Sequence, residues 1–382
     1  MRVVNLIPAV AVVAIIAMPA FAGAPEQADI RNAVEKSLPP LFKSGPSFVK
    51  VSGCASCHNN TLPMMAASIA KKHGLAVDDQ GFDQNIQQQN GFMMAMATQF
   101  REPMLETSFG IPDVQVALPY VLLAMKAQNI PASGVTAAAV HAIASRQLPD
   151  GSWPSYINRA PIENGDIQAT ALAVRAIQLY GMPGRRQEWK RRIANAREWL
   201  GRAVAKTTED KIMLVSGLYW AGADAEAVAN AARTLLAEQR EDGGWAQLKT
   251  LDSDAYATGH ALVALEEAGV LTTTDEAYRR AVQYLLTTQQ ADGTWITKTR
   301  AFPFQPLKES GFPHGRDQWI SAAATSWAAM ALANAIDPPL ARVGNQNDVV
   351  GAKTAGVDQV RVVFPRAQRA PRVAAWALRP VE

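Results

Sequence analysis

The segment Gln239–Gly269, QREDGGWAQLKTLDSDAYATGHALVALEEAG, decides the fold because its three parts recur along the chain. They are a Gln-x-x-x-Gly-x-Trp turn, a loop with acidic residues, and a helix of small residues closed by glycine. Similar turns occupy Gln147–Trp153 and Gln289–Trp295, so successive turns begin 92 and 50 residues apart, and Trp199 lies midway between the first two turn tryptophans. A repeat of about 46–50 residues predicts stacked helical hairpins, each of which buries its apolar face against its neighbours.

Hydrophobic periodicity and helix stop signals predict six helical hairpins between residues 23 and 340. In each hairpin, an amphipathic outer helix precedes an inner helix rich in small residues. Pro39 and Pro40 are expected to end the first outer helix at Leu38. Six hairpins are enough to close a ring, so we predict an all-α (α/α)6 toroid. The predicted pairs are Gln27–Leu38 with Leu62–His73, Asp83–Gln99 with Asp113–Asn129, Thr136–Arg146 with Asp166–Tyr180, Arg186–Ala205 with Glu209–Ala221, Ala225–Gln239 with Asp254–Ala268, and Asp275–Gln289 with Asp317–Ile336.

Composition and the two termini limit the classes of function. A formal net charge of +3 over 382 residues argues against a nucleic-acid partner. Residues 1–22 read as a secretory signal peptide, with Arg2, an apolar run over Val3–Ala17 and cleavage after Ala22, and a retained membrane anchor is the alternative. No later stretch is long and apolar enough to span a bilayer, so we expect a periplasmic or secreted protein. Residues 341–382 form a basic tail for which we expect weak order.

Both cysteines of the chain lie in the sequence Cys54-Ala-Ser-Cys57-His58. C-x-x-C-H is the attachment signature of haem c, in which two thioethers hold the porphyrin and the histidine binds the iron. A Cys54–Cys57 disulfide and a chance match are the alternatives. For the sixth iron ligand we name Met94, from a cluster that also contains Met93, Met96 and Met104, although helical methionines also serve as core filling.

The Gln-x-x-x-Gly-x-Trp turns resemble the QW motif of squalene–hopene and oxidosqualene cyclases. The starts of the helices resemble the wider superfamily of terpenoid cyclases and protein prenyltransferases, over residues 27–336. This resemblance implies a toroid with an apolar, isoprenoid-like ligand, but related toroids serve as cyclases, prenyltransferase subunits and binding domains. We interpret the glutamines and tryptophans of the turns as structural, because they can satisfy and cover free backbone groups at helix ends.

Two acidic residues match a catalytic motif of the class II terpenoid cyclases. Their Asp-x-Asp-Asp, in which the middle residue protonates the substrate, corresponds to Asp252-Ser253-Asp254-Ala255, where alanine replaces the last acid. Asp252 and Asp254 are therefore candidate catalytic residues of a proton-initiated cyclase that lacks one acid. Prenyltransferases carry a zinc-binding cysteine two residues after an aspartate, and Asp252 and Asp254 are not followed by one. A zinc prenyltransferase is rejected on this ground.

The toroid itself predicts where these features meet. Inner helices of a ring run parallel, so the aspartates at their starts and the Cys54–His58 loop belong to one mouth. The leading hypothesis is an exported haem c toroid that binds an apolar ligand and has a redox or sensing role, with a redox partner. A protein- or glycan-binding toroid with a disulfide and a class II cyclase using Asp254 are the rivals. Ile296–Arg316 is either a lid or a surface loop, and His260 is interpreted as a packing residue.

Overall fold

The computed structural model describes residues 25–53, 55–102, 113–303 and 306–337. The predictions for the signal peptide, the basic tail, Cys54 and Met104 lie outside these residues. Within them the chain forms thirteen α-helices and no β-strand beyond one isolated bridge between Arg159 and Glu163. The all-α prediction is confirmed. In this part of the chain, no helix combines the length and apolarity that crossing a membrane requires.

The helices alternate between an outer and an inner position. Each inner helix packs on the next, and the last packs on the first, so the inner helices close a ring as predicted. The outer helices are α1 (Gln27–Ser52), α3 (Asp79–Ala95) with its continuation α4 (Ala97–Arg101), α6 (Gly134–Ala144), α8 (Arg186–Arg202), α10 (Ala225–Leu236) and α12 (Glu276–Thr288). The inner helices are α2 (Leu62–Lys72), α5 (Val114–Ala127), α7 (Asp166–Tyr180), α9 (Thr208–Trp220), α11 (Ala255–Glu267) and α13 (Gln318–Asn334).

Side-chain size explains why the two sets of helices take different positions. In α13, small residues are buried all round the helix, from Ala322 to Ala333, which lets neighbouring backbones approach closely. At Gly259 in α11 there is no room for even a methyl group, because an added Cβ would lie 2.5 Å from the carbonyl carbon of Trp327. The outer helix α12 instead buries one stripe that includes Tyr278, Val282 and Leu285.

The ends of the described chain meet where the ring closes. The Gln27 amide nitrogen donates to the Ala335 carbonyl at 3.0 Å, and the Asp337 backbone N–H donates to the Gln27 side-chain oxygen at 3.0 Å. His73 Nδ1 lies 3.0 Å from the Ile336 carbonyl oxygen. The first and last hairpins are therefore joined by polar contacts in addition to the packing of α13 on α2.

The three Gln-x-x-x-Gly-x-Trp turns have the same hydrogen bonds. Each glutamine amide nitrogen donates twice, to the carbonyl of the turn glycine and to a carbonyl of the next outer helix, for example from Gln239 to Gly243 and Ala277. Each indole N–H donates to a carbonyl near the end of the preceding helix, as from Trp245 to Leu235 at 2.8 Å. The same bonds recur at the other turns, from Gln147 to Gly151 and Arg192, from Gln289 to Gly293 and Ala33, from Trp153 to Ile143 and from Trp295 to Leu285.

The glycine of each turn is required for two reasons. Gly243 has a φ of +88°, which side-chain-bearing residues rarely adopt, and an added Cβ would lie 2.4 Å from the Arg280 carbonyl oxygen. Gly151 and Gly293 have a φ of +99° and +85° with equally close backbone neighbours. The hydrogen bonds of the glutamines and tryptophans, together with the lack of space at the glycines, support the interpretation of these turns as structural.

The prediction that Pro39 and Pro40 end the first outer helix is wrong. Helix α1 continues to Ser52 through both prolines and through Pro46. Residues beyond the prolines, among them Leu41 and Phe48, are buried in the ring. Burial of this second half outweighs the hydrogen bonds that prolines remove from a helix.

Candidate functional site

The loops that precede the inner helices contact one another at one end of the ring. Ser155 Oγ, before α7, donates to Asp113 at the start of α5 at 2.6 Å. Thr208 Oγ1, at the start of α9, donates to the Ala246 carbonyl before α11 at 2.6 Å. These contacts place the starts of several inner helices at a common mouth.

Arg300 connects loops from separate parts of this mouth. It belongs to the long segment between the last Gln-x-x-x-Gly-x-Trp turn and α13. Its Nε donates to the Gln247 side-chain oxygen at 2.8 Å, and a terminal nitrogen lies 3.4 Å from the side-chain oxygen of Asn164, which precedes α7. Arg300, in the predicted loop Ile296–Arg316, therefore lies across part of the mouth, whereas the sequence left lid and surface loop open as interpretations of this loop.

His58 lies at the mouth within a short π-helical turn, Cys57–Thr61. Its Nδ1 is 2.5 Å from the Asn59 side-chain oxygen, and the Asn59 amide nitrogen donates to Ser44 Oγ at 3.0 Å. The imidazole has Phe48 and Trp319 edge-to-face, at centroid distances of 5.2 and 5.7 Å. Burial, and then the positive charge of Arg159, lowers the pKa of His58 to about 3. The ring is thus neutral at physiological pH, with its orientation set by Asn59.

The other predicted haem residues occupy different environments. Cys57 is buried at the first residue of the π-helical turn. Met94 in α3 is 65% exposed, whereas its neighbour Met93 is buried in the core. Within the described residues, no group of three or more histidine, cysteine or acidic side chains is arranged to hold a metal ion. Cys57 and His58 lie in the same π-helical turn, whereas Met94 lies on the surface of an outer helix.

Asp252 and Asp254 differ in their surroundings although they are two residues apart. Asp252 is exposed. Asp254 is half-buried and caps α11, since its carboxylate accepts a hydrogen bond from the Ala257 backbone N–H at 3.0 Å. Burial raises the pKa of Asp254 to about 6, against the opposing effect of its hydrogen bonds. Of these two aspartates, Asp254 is the one with the partly buried setting that a proton donor needs.

A polar group that the sequence did not predict lies among the inner helices. Glu209 in α9 and His260 in α11 are both buried, with the Glu209 carboxylate 3.2 Å from His260 Nδ1. The other Glu209 oxygen accepts a hydrogen bond from Gln168 Nε2 in α7 at 2.6 Å. Trp327 of α13 stacks on the His260 ring with a centroid distance of 3.8 Å. His260 therefore packs as predicted and also pairs with an acid.

The sequence carried one overlooked signal for this group. Glu209 and Gln168 are polar residues near the starts of inner helices that are rich in apolar and small residues. Polar groups in a helix that is buried on all sides must find partners inside the fold. Their positions on neighbouring inner helices could have indicated an interior contact, but not its geometry.

Comparison with known proteins supports the fold and part of the sequence resemblance. The model of the squalene-hopene cyclase C-terminal domain matches residues 193–345. A protein from Actinoplanes has a similar structure, with 16% identity, a TM-score of 0.55, and coverage of 82% of this chain and 100% of the other. The type II terpene cyclase MstE from Scytonema has 15% identity, a TM-score of 0.51, and coverage of 82% of this chain and 99% of the cyclase. No curated protein sequence matches the chain.

These similarities show that the chain shares its all-α toroid fold with MstE. A variant of MstE has been solved in complex with geranylgeranyl dihydroxybenzoate, its substrate, at 14% identity to this chain, a TM-score of 0.50, and coverage of 81% of this chain and 98% of the other. At such identities the likeness concerns the fold, because one fold serves many activities.

Proposed function

We propose that this protein is exported, binds an apolar isoprenoid-like ligand in its ring, and carries a covalent haem c at the mouth for a redox or sensing role. Cys54 and Cys57 would form the thioethers, and His58 would be the proximal iron ligand. When bound, the haem would supply one-electron transfer to a redox partner. The bound substrate of MstE supports an isoprenoid-like ligand for a ring of this fold.

The arrangement of His58 is the observation that carries the haem proposal. Histidines that bind metals usually donate their second ring N–H to an oxygen acceptor, which fixes the tautomer and the ring orientation. Here Nδ1 is paired with the Asn59 oxygen, so Nε2 keeps the lone pair that would bind iron. Ser44 supports Asn59 in turn and donates its own hydroxyl to the Leu41 carbonyl at 3.0 Å. These residues of the chain fit a proximal ligand that is oriented before the haem is attached.

The haem proposal is tested with protein made in a host that matures cytochromes c. We expect an intact mass that includes one haem, a pyridine haemochrome spectrum, and loss of both in the variant Cys54→Ser/Cys57→Ser. Asn59→Leu should retain the haem and shift its reduction potential, whereas His141→Ala on the outer helix α6 should change neither. A mass two hydrogens below the reduced chain, without a Soret band, would instead support a disulfide-containing binding toroid.

A second candidate, a class II cyclase, is favoured by the raised pKa of Asp254 in a ring of the cyclase fold. A carboxyl group whose pKa is raised toward neutrality keeps a fraction of its protonated form there and can act as a general acid. Its capping bond to Ala257 and the missing third acid weigh against this function. The test is conversion of a linear prenylated substrate to cyclic products, which must disappear in Asp254→Asn. Absence of cyclic products from the wild type rejects this candidate.

A further inference from the structure

Arg300 lies at the centre of a hydrogen-bond network at the mouth. Its Nε donates to the Gln247 side-chain oxygen at 2.8 Å, and a terminal nitrogen lies 3.4 Å from the Asn164 side-chain oxygen. Each of these two amides also contacts an aspartate in the cap of an inner helix. Gln247 contacts Asp254, which caps α11, and Asn164 contacts Asp210, in the capping box of α9. The guanidinium therefore reaches two helix caps through two side-chain amides.

The order of donors and acceptors in this network fixes the direction of both amides. A guanidinium only donates hydrogen bonds and an ionised carboxylate only accepts them, whereas a side-chain amide does both through different atoms. With its oxygen on Arg300, Gln247 turns its amide nitrogen away from the guanidinium, and its side chain and backbone N–H form hydrogen bonds with the Asp254 carboxylate. Asn164 has the same arrangement, because its amide nitrogen donates to Asp210 at 3.2 Å.

The charges around Asp254 favour the same arrangement. Burial raises the pKa of Asp254 and lowers the pKa of Arg300, so each group is stabilised in its charged form by the opposite charge of the other. Among the helices packed against α11, α9 contributes the acids Glu209 and Asp210, α12 contributes Tyr284, and α13 contains no ionisable side chain. Arg300 therefore brings a positive charge close to a group of acids.

We propose that Arg300 is a positioning residue for Asp254 and acts through Gln247. Arg300 holds the oxygen of the glutamine, so the glutamine keeps its N–H groups on the carboxylate and the carboxyl group keeps one orientation at the mouth. A general acid transfers its proton efficiently only from a fixed position. This inference rests on the second proposed function, in which Asp254 is the acid, and it adds the residues that hold that acid. It does not depend on haem.

The test measures how tightly Asp254 binds its proton. Protein labelled with ¹³C at the aspartate side-chain carboxyl is titrated by NMR, and the Asp254 signal is identified by its absence from Asp254→Asn. Arg300→Met removes the positive charge and frees Gln247, so Asp254 should bind its proton about 10-fold more tightly. Arg300→Lys keeps a positive charge without the Nε contact and should give an increase of about 3-fold.

A matched control and a double-mutant cycle separate positioning from the effect of charge alone. Lys298→Met is the control, because Lys298 is on the same loop, is 84% exposed and pairs with Asp317, so the proton affinity of Asp254 should not change. Gln247→Met removes the amide between the two groups. In that background Arg300→Met should change the proton affinity by about 3-fold or less.

Two results would overturn the proposal. If Arg300→Met has the same effect with and without the Gln247 amide, Arg300 acts by its charge alone. If Asp254 binds its proton equally tightly in the wild type and in both Arg300 variants, Arg300 has no influence on this acid. The Arg300 variants alter a half-buried side chain at the mouth, so this second comparison does not require a change in the buried Gln247.

The outcomes also separate this inference from the proposed function. The titration needs no substrate, so it decides the role of Arg300 whether or not the protein forms cyclic products. If the wild type forms them, Arg300→Met should lower kcat, and its activity should persist to higher pH because Asp254 stays protonated there. If the wild type forms none, the cyclase function fails, and the titration still confirms or overturns the positioning role.

Discussion

The turns and the ring interior differ in whether their buried polar side chains form hydrogen bonds within the described part of the chain. In the turns, the indole N–H of Trp245 donates to a backbone carbonyl, and each glutamine amide nitrogen donates twice. In the interior, Trp327 and Tyr120 are similarly buried, and their polar atoms have no hydrogen-bond partner among the described residues. Polar groups that are hydrogen-bonded stabilise the turns, whereas buried donors without a partner reduce the stability that burial of the interior provides.

The largest expected effect is on the turns. Gly243→Ala should lower the free energy of unfolding by about 3 kcal/mol or more, because the new Cβ meets the Arg280 carbonyl in a backbone conformation that favours glycine. Chemical denaturation monitored by circular dichroism measures this loss. Gly201→Ala is the control, since a Cβ there meets nothing within 4 Å and helix α8 should gain about 0.5 kcal/mol. Equal stabilities of the two variants would contradict our account of the turns.

A smaller effect distinguishes the two kinds of tryptophan. Trp245→Phe should cost about 2–3 kcal/mol, because it leaves a space and deprives the Leu235 carbonyl of its donor. Trp327→Phe leaves a similar space but removes a donor without a partner, so its cost should be lower by about 1–2 kcal/mol. Thermal and urea unfolding of both variants provide the comparison. The same loss in both would mean that the Trp327 N–H is paired in the folded protein.

The smallest effect concerns pH and Asp254. Its folded pKa, about 6, exceeds the ordinary value of 3.8, so the folded state binds more protons and wild-type stability should fall as pH rises between these values. Asp254→Asn keeps a capping side chain and removes the buried charge. The variant should therefore match the wild type near pH 3.5 and exceed it in melting temperature above pH 6. Asp224→Asn, on an exposed cap of α10, measures what the same exchange does to capping alone. A difference that does not change with pH would argue against this origin.

The fold could be predicted because its determinants are local and repeated. Helix α7 begins and ends at the predicted residues, Asp166 and Tyr180, and the other inner helices differ by one or two residues at their ends. The repeat spacing was sufficient to predict the number of hairpins, since each repeat must bury the same face. The predicted first outer helix is shorter than the observed one. The local proline signals gave no information about the burial of residues beyond them, such as Phe48.

The candidate site was predictable only in part. The Cys57–His58 pair follows from a contiguous motif, and its place at the mouth follows from the direction of the inner helices. The Asn59 and Ser44 contacts that orient His58 join residues 15 positions apart and needed the folded chain. The exposure of Met94 likewise depends on which face α3 presents to the core.

The sequence by itself determined the ring and the turns, because hydrophobic period, glycine geometry and residue spacing act over short distances. Only the tertiary structure decided which polar residues meet inside the ring. Glu209 and His260 are 51 residues apart, and Tyr120 of another hairpin lies near enough for the charge of Glu209 to raise its pKa. Their contact depends on the radius of the closed ring and on the rotation of each helix about its axis, which are set by the packing of all the hairpins together.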